Sequence, residues 1–288
     1  MNLLAIRDLG ADALADILAL SEAPDLGQPL AGKGVALVFE KPSARTRNSM
    51  EMAVVQLGGH PVCIQGDEVG IGARETPADV ARTLACYHSV IAARVKDHRL
   101  LDAMAEATDT PLLNMLSDTD HPLQALADLL TIKQLFGRIE GVRIAFVGDG
   151  NNNVCRSLAE AASLAGARMI IASPDEYALS GLPDGVAHRV DPAEAVHGAD
   201  VVYTDVWVSM GQAEEAERRG AALRDYRIDA AMMAHAPGAW FMHCLPAYRG
   251  EEVTGEVIDG PRSAVWKQAG NRMHSGRGAL AWLMGVQL

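Results

Sequence analysis

The sequence predicts an α/β chain made of two doubly wound domains with parallel sheets. Three observations predict it. Short, partly β-branched apolar runs alternate with segments whose apolar residues recur at helical spacing. The alternation occurs twice, on either side of Gly137, without an internal sequence repeat. The residues able to do chemistry, Ser43, Arg94, His121, Asp205 and Cys244, fall at or just beyond predicted strand ends, where sites gather in open α/β sheets.

In order, Leu14, Ile17 and Leu18 give a first helix one apolar face, and Ala23-Pro24 with Gly27 closes it. Residues 35–39 read as a buried strand, stopped by Glu40-Lys41-Pro42. Met50, Ala53, Val54 and Leu57 then follow helical spacing until Gly58-Gly59. A second strand occupies 61–65, and 66–76 is a glycine-rich loop. Thr76-Pro77 opens a helix with Val80, Leu84 and Tyr87 on its apolar face. A strand at 90–93 delivers Arg94, a helix covers 100–107, and a strand covers 111–116. His121-Pro122 then starts a long helix that Gly137 ends, so the first domain is placed at 1–136 and the second at 137–266. In the second, strands are expected at 142–147, 169–172, 201–204 and 241–245, with helices at 151–165 and 230–235. The final stretch, 266–288, reads as a helix with Leu280, Leu283 and Met284 apolar.

Hydrophobic residues make up 49% and charged residues 22%, as in globular chains. A net charge of −12 argues against nucleic acid or an anionic membrane as partner. An anionic substrate would therefore need a local cluster of Arg and His. Cys63, Cys86, Cys155 and Cys244 are widely spaced, which predicts reduced, mostly buried thiols of a cytoplasmic protein, with no disulfide frame or metal site. Asp8, Asp12 and Asp16 interrupt the N-terminal apolar residues, so no signal peptide is expected. No apolar run reaches the ~20 residues that span a bilayer.

The stretch after the first strand carries Ser43, Ala44, Arg45, Thr46 and Arg47 where a helix begins. Unpaired N–H groups and the helix dipole favour an anion there, and arginine supplies forked donors suited to phosphate. The run Gly148-Asp149-Gly150-Asn151-Asn152-Asn153 lacks the G-x-G-x-x-G of dinucleotide folds. Covalent catalysis by Cys244 would need a base. In a strand over 241–245 the adjacent His243 faces the opposite side, so a covalent step through Cys244 is not expected.

The Ser43 to Arg47 stretch resembles the S-T-R-T-R phosphate signature of the carbamoyltransferases. His121-Pro122-Leu123-Gln124, Asp205-Val206-Trp207-Val208-Ser209-Met210-Gly211 and His243-Cys244-Leu245-Pro246 match the same family in the same order, the last two resembling its ornithine branch. The resemblance implies an active site in the cleft between two domains, the first of them completed by a C-terminal helix at about 267–288. It assigns carbamoyl phosphate to Ser43, Ala44, Arg45, Thr46, Arg94, His121, Pro122, Leu123, Gln124, Cys244, Leu245 and Arg272. L-Ornithine falls to Asn153, Asp205, Ser209 and Met210, and the chemistry to Arg94, His121 and Cys244. It further implies no metal or organic cofactor, and a homotrimer with sites near subunit interfaces. Rival readings are a transferase for putrescine or an acylated ornithine, and a non-catalytic binding module.

Two departures from the family pattern stand out. Ala44 replaces the usual Thr, and Gly70 stands where many relatives carry Gln or His. Arg74 or a bound water is the candidate to replace the missing donor.

Overall fold

In the computed structural model, which describes residues 1–208 and 215–288, the chain divides into two compact units. They are Met1–Leu130 with Asn271–Leu288, and Thr131–Gly270. The first contains α1 (Ala11–Glu22), β1 (Gly34–Phe39), α2 (Ala44–Gln56), β2 (His60–Gln65) and the single turn α3 (Gly66–Val69). It continues through α4 (Pro77–Ala85), β3 (His88–Arg94), α5 (His98–Glu106), β4 (Leu112–Leu116) and the part of α6 (Pro122–Phe136) up to Leu130. The strands pair in parallel in the order β2-β1-β3-β4. Central β1 is buried from Val35 to Phe39, as a strand covered on both faces requires.

The caps follow the residues that predict them. The Ser43 hydroxyl accepts from the Thr46 N–H, and the Thr76 hydroxyl from the Asp79 N–H, with Pro77 in the first turn. Tyr87 is a correction. Helix α4 ends at Ala85 and Cys86 caps it, so the chain turns toward β3 and leaves Tyr87 71% exposed. The 66–76 loop is also more ordered than its glycines suggest, because Gln65 and Glu68 form a capping box around α3 and Ile71 is buried.

The second unit contains β5 (Arg143–Val147), α7 (Asn153–Leu164), β6 (Arg168–Ala172), β7 (Val186–Arg189), α8 (Pro192–Val196) and β8 (Val201–Thr204). After these come α9 (Ala216–Leu223), α10 (Ala230–Met233), β9 (Trp240–His243) and α11 (Gly255–Ile258). The parallel order is β7-β6-β5-β8-β9. Strand β7 has no counterpart in the sequence reading. It is a four-residue edge strand containing His188 and Arg189, with no apolar run to reveal it. Strand β9 stops at His243 rather than at 245, because Leu245 adopts a left-handed φ of 59° and its N–H donates to His243 Nδ1 at 2.9 Å. All four cysteines are free, but only Cys155 is buried and Cys86 is exposed. The expectation of mostly buried thiols is corrected accordingly, since Cys86 sits at the open end of α4.

Helix α12 (Val265–Leu283) ends the chain, and its part from Asn271 onward belongs to the first unit. It meets α1 through glycine. A Cβ on Gly278 would stand 2.2 Å from Ser21 Oγ and 2.7 Å from the Ile17 carbonyl oxygen. Beside it, Arg277 donates to the Ala23 carbonyl at 2.5 Å, satisfying the end of α1. Gly278→Ala should destabilise the chain by about 1–3 kcal/mol through overpacking. That outweighs the roughly 1 kcal/mol of helix propensity that alanine adds. A lowered urea midpoint at unchanged slope is expected; a raised midpoint would refute the contact. Among the described residues, no helix is long and apolar enough to cross a membrane.

Candidate active site

Parallel pairing brings the carboxyl ends of β1, β3 and β4 together in the first unit, with Phe39 opposite Arg94. Ser43 caps α2 at 3.3 Å from the Thr46 amide, and its hydroxyl donates to Thr46 Oγ1 at 3.1 Å. Ala44 and Arg45 are exposed on the first turn, whereas Thr46 is buried. Arg94 is buried as the last residue of β3. His121 precedes α6, where its carbonyl accepts from the Gln124 and Ala125 amides, and Pro122 occupies the first turn, which needs no N–H.

Arg272 joins these segments. It reaches Thr46 Oγ1 at 3.4 Å, His121 Nε2 at 3.3 Å, and the Gln124 side-chain oxygen. A guanidinium can only donate, so Nε2 of His121 is the acceptor and its ring proton lies on Nδ1. Burial, with Arg272 and Arg94 adding repulsion, holds His121 well below its ordinary 6.5. The imidazole is therefore neutral near pH 7, and able to donate a hydrogen bond without carrying a charge.

A lowered pKa has a consequence for stability. The unfolded chain takes up the His121 proton below about pH 6.5, and the folded chain resists it. The stabilising contribution is thus complete above about 6.5 and shrinks as pH falls toward the depressed folded value. His121→Asn should flatten the acid side of a Tm-against-pH curve; an identical slope would contradict the neutral assignment.

Two neighbours of this cluster escaped the sequence reading. Asp128 is fully buried and accepts from Gln124 Nε2 at 2.8 Å, which turns the Gln124 oxygen toward Arg272. Its only sequence signal is a carboxylate four residues along the same helix. Lys41 was read as a strand stop. Partial burial, then the charges of Arg94 and Lys96, lower its pKa, which places it among the cations of this strand end. A helix N-terminus, two buried arginines and a half-buried lysine make a strong anion site within a chain of net charge −12.

In the second unit, β5 and β8 are neighbours and end side by side. After β5, Asn152 caps α7 by accepting from the Cys155 amide at 2.8 Å, so Asn153 is the helix's first residue. After β8 comes Asp205, which is buried. Its Oδ1 accepts from the Cys244 thiol at 2.9 Å and the Val206 amide at 2.8 Å. Burial pushes the Asp205 carboxyl above its usual range, with His243 and these donors opposing the rise. Ser209 and Met210 lie outside the described residues.

His243 corrects an expectation. Its ring, Asp205 and Cys244 offer polar atoms within 4.8 Å of one another, so it does not face away from the thiol. Strand alternation fails here because β9 ends at His243 and the chain turns at Leu245. The ring is nonetheless not free to act as a base toward Cys244. Its Nδ1 accepts from the Leu245 amide, and its Nε2 lies 3.1 Å from Glu252 Oε1, a carboxylate fully buried with it. His243 is thus bonded to Leu245 and Glu252, while the Cys244 thiol donates to Asp205.

The first unit thus holds a buried anion site, and the second a buried carboxylate with a thiol and a helix N-terminus. Residues 1–134 match the family model described as "Aspartate/ornithine carbamoyltransferase, carbamoyl-P binding domain", and residues 140–283 the one described as "Aspartate/ornithine carbamoyltransferase, Asp/Orn binding domain". The chain is 45% identical over 304 residues to the ornithine carbamoyltransferase of Hyperthermus butylicus, covering 98% of this chain and 97% of that one. It is 43% identical over 306 residues to the anabolic ornithine carbamoyltransferase of Pyrococcus furiosus, covering 99% and 96%. The solved ornithine carbamoyltransferase of P. furiosus superposes with a TM-score of 0.92 at 41% identity, covering 99% and 97%. That of Thermus thermophilus gives 0.90 at 42% identity, covering 98% of both chains. With the two family models matching residues 1–134 and 140–283 and relatives above 40% identity over nearly the whole length, the chain belongs to the aspartate/ornithine carbamoyltransferase family.

Proposed function

We propose that this chain transfers the carbamoyl group of carbamoyl phosphate to the δ-amine of L-ornithine, giving L-citrulline and phosphate in arginine biosynthesis. The observation that carries the reading is the pair of buried Asp205 and half-buried Cys244, at 2.9 Å, in a chain whose other unit holds the Ser43, Arg94, His121 and Arg272 cluster. A carboxylate with neutral donors suits an ammonium group, and the cationic cluster suits a dianionic phosphate.

In this reading Ser43, the Ala44 backbone, Arg45 and Thr46 hold the phosphate. Arg94 and Arg272 bridge phosphate and carbonyl oxygen. Neutral His121 and Gln124 address the carbamoyl group, with Pro122 and Leu123 fixing the helix start that presents them. Asp205 takes the α-ammonium and Asn153 the α-carboxylate, with Ser209 and Met210 completing that side. Cys244 stands by the δ-nitrogen and, with Leu245, beside the carbamoyl phosphate. The neutral δ-nitrogen attacks the carbamoyl carbon, forming a C–N bond. The C–O bond to phosphate breaks, its electron pair leaves on phosphate, and the proton shed by nitrogen ends on the departing oxygen. Arginine donors aimed at the developing charge act most strongly in the transition state.

The same reading has phosphate-side binding come first, needs neither metal nor organic cofactor, and places the enzyme in the cytoplasm as a homotrimer. A donor from a neighbouring subunit would meet the phosphate through the 66–76 segment. Arg74 there is held by a 2.7 Å bond to the Glu68 carbonyl.

The test is carbamoyl transfer to ornithine, putrescine, N-acetylornithine and aspartate in parallel. Turnover with ornithine alone is expected. Preference for putrescine or an acylated ornithine would replace the acceptor, and carbamoyl phosphate binding without turnover would replace the enzyme by a binding module.

A further inference from the structure

Two buried carboxylates stand at the adjacent ends of β5 and β8. Asp149 and Asp205 are 5% and 6% exposed. Burial raises the Asp149 pKa, and the charge of Asp205 is near enough to push it the same way. The two have unlike partners. Arg219 donates to Asp149 Oδ2 at 2.6 Å and to Glu215 Oε2 at 2.9 Å, and its guanidinium lies 5.0 Å from the Tyr177 ring centre. With a side chain only 12% exposed, it is held on three sides. Asp205, by contrast, accepts among the described residues from a thiol and a backbone amide. Asp149 also organises the start of α7: its Oδ1 accepts from the Asn151 amide at 3.0 Å, and its carbonyl from Asn152 Nδ2 at 3.0 Å.

An acceptor carrying an α-ammonium beside an α-carboxylate needs one negative charge and then no second one. If Asp149 were unpaired, the half-site would hold two buried negative charges. That would repel the α-carboxylate and favour a dication. We infer that Arg219 is a positioning and specificity-determining residue, which neutralises Asp149 so that Asp205 alone meets the acceptor and the amino acid is selected over its decarboxylated diamine. This rests on the ornithine reading above.

The test compares dissociation constants for L-ornithine and putrescine by calorimetry, in saturating inorganic phosphate, alongside Tm. Arg219→Gln should weaken ornithine and lower the ornithine preference about tenfold. Asp149→Asn, which leaves Arg219 with Glu215, should raise the preference. The double variant Asp149→Asn/Arg219→Gln restores neutrality and should return within about threefold of the parent. A merely structural pair would instead weaken both ligands alike and give no opposite signs. Should Arg219→Gln fail to fold, the Asp149→Asn and double variants still read the sign, and an unmoved preference in both overturns the inference. A parent chain that binds ornithine with a preference indifferent to these changes rejects Arg219's role alone. A parent that does not bind ornithine rejects the proposed function instead.

Discussion

Asp205→Asn is expected to raise the Michaelis constant for ornithine by about 10²–10⁴-fold while leaving the affinity for carbamoyl phosphate within about threefold. Asparagine keeps the shape and an oxygen that can still accept from the Cys244 thiol and the Val206 amide. What it removes is the charge. Breaking a buried ion pair by neutralising one partner costs on the order of 3–5 kcal/mol, and each ~1.4 kcal/mol is tenfold. Because Asp205 is raised by burial, a bound ammonium would restore its ionised form. Ornithine affinity should therefore fall as pH drops through the raised carboxyl value. Initial rates over a matrix of both substrates give the two constants. An ornithine constant within threefold of the parent would remove Asp205 from the amino-acid side.

The second large effect is expected at Arg272. Arg272→Met keeps the apolar stem but deletes the donors that reach Thr46, His121 and Gln124. Hydrogen bonds to charged groups are worth about 1.5–3 kcal/mol each, so losing two toward carbamoyl phosphate should weaken it about 10²–10⁴-fold. The substitution also removes one of two arginines that repel a proton on His121, so that pKa should rise, with burial and Arg94 still opposing it. Calorimetry and NMR titration of the imidazole read the two effects separately. A lowered Tm with unchanged carbamoyl phosphate affinity would make Arg272 a structural residue only.

Much of this was legible along the chain because its cause is local. Ser43 and Thr76 announce helix starts by hydrogen-bonding an amide three residues on, and β1 reads as a strand because every residue after Gly34 is apolar. Where the tertiary contact is distant, the chain was silent. Asp128 looked like any helix carboxylate until Gln124 was seen caught between it and Arg272. Edge strand β7 went unread because half-burial asks for no apolar run. His243 was misplaced because alternation assumes that a strand continues, and a left-handed residue at Leu245 ends it.

By itself, then, the amino-acid order determined the α/β alternation, the helix caps and the four motifs that mark the family, since each is written in neighbours or in fixed spacing. Only the tertiary structure decided how buried charges are balanced. Arg219 neutralises Asp149 across 70 residues of chain, Arg272 reaches Gln124 across 148, and Asp205 accepts from Cys244 across 39. The physical reason is burial itself: a charge removed from water must find its partner in space, and no local pattern of residues records where that partner will be.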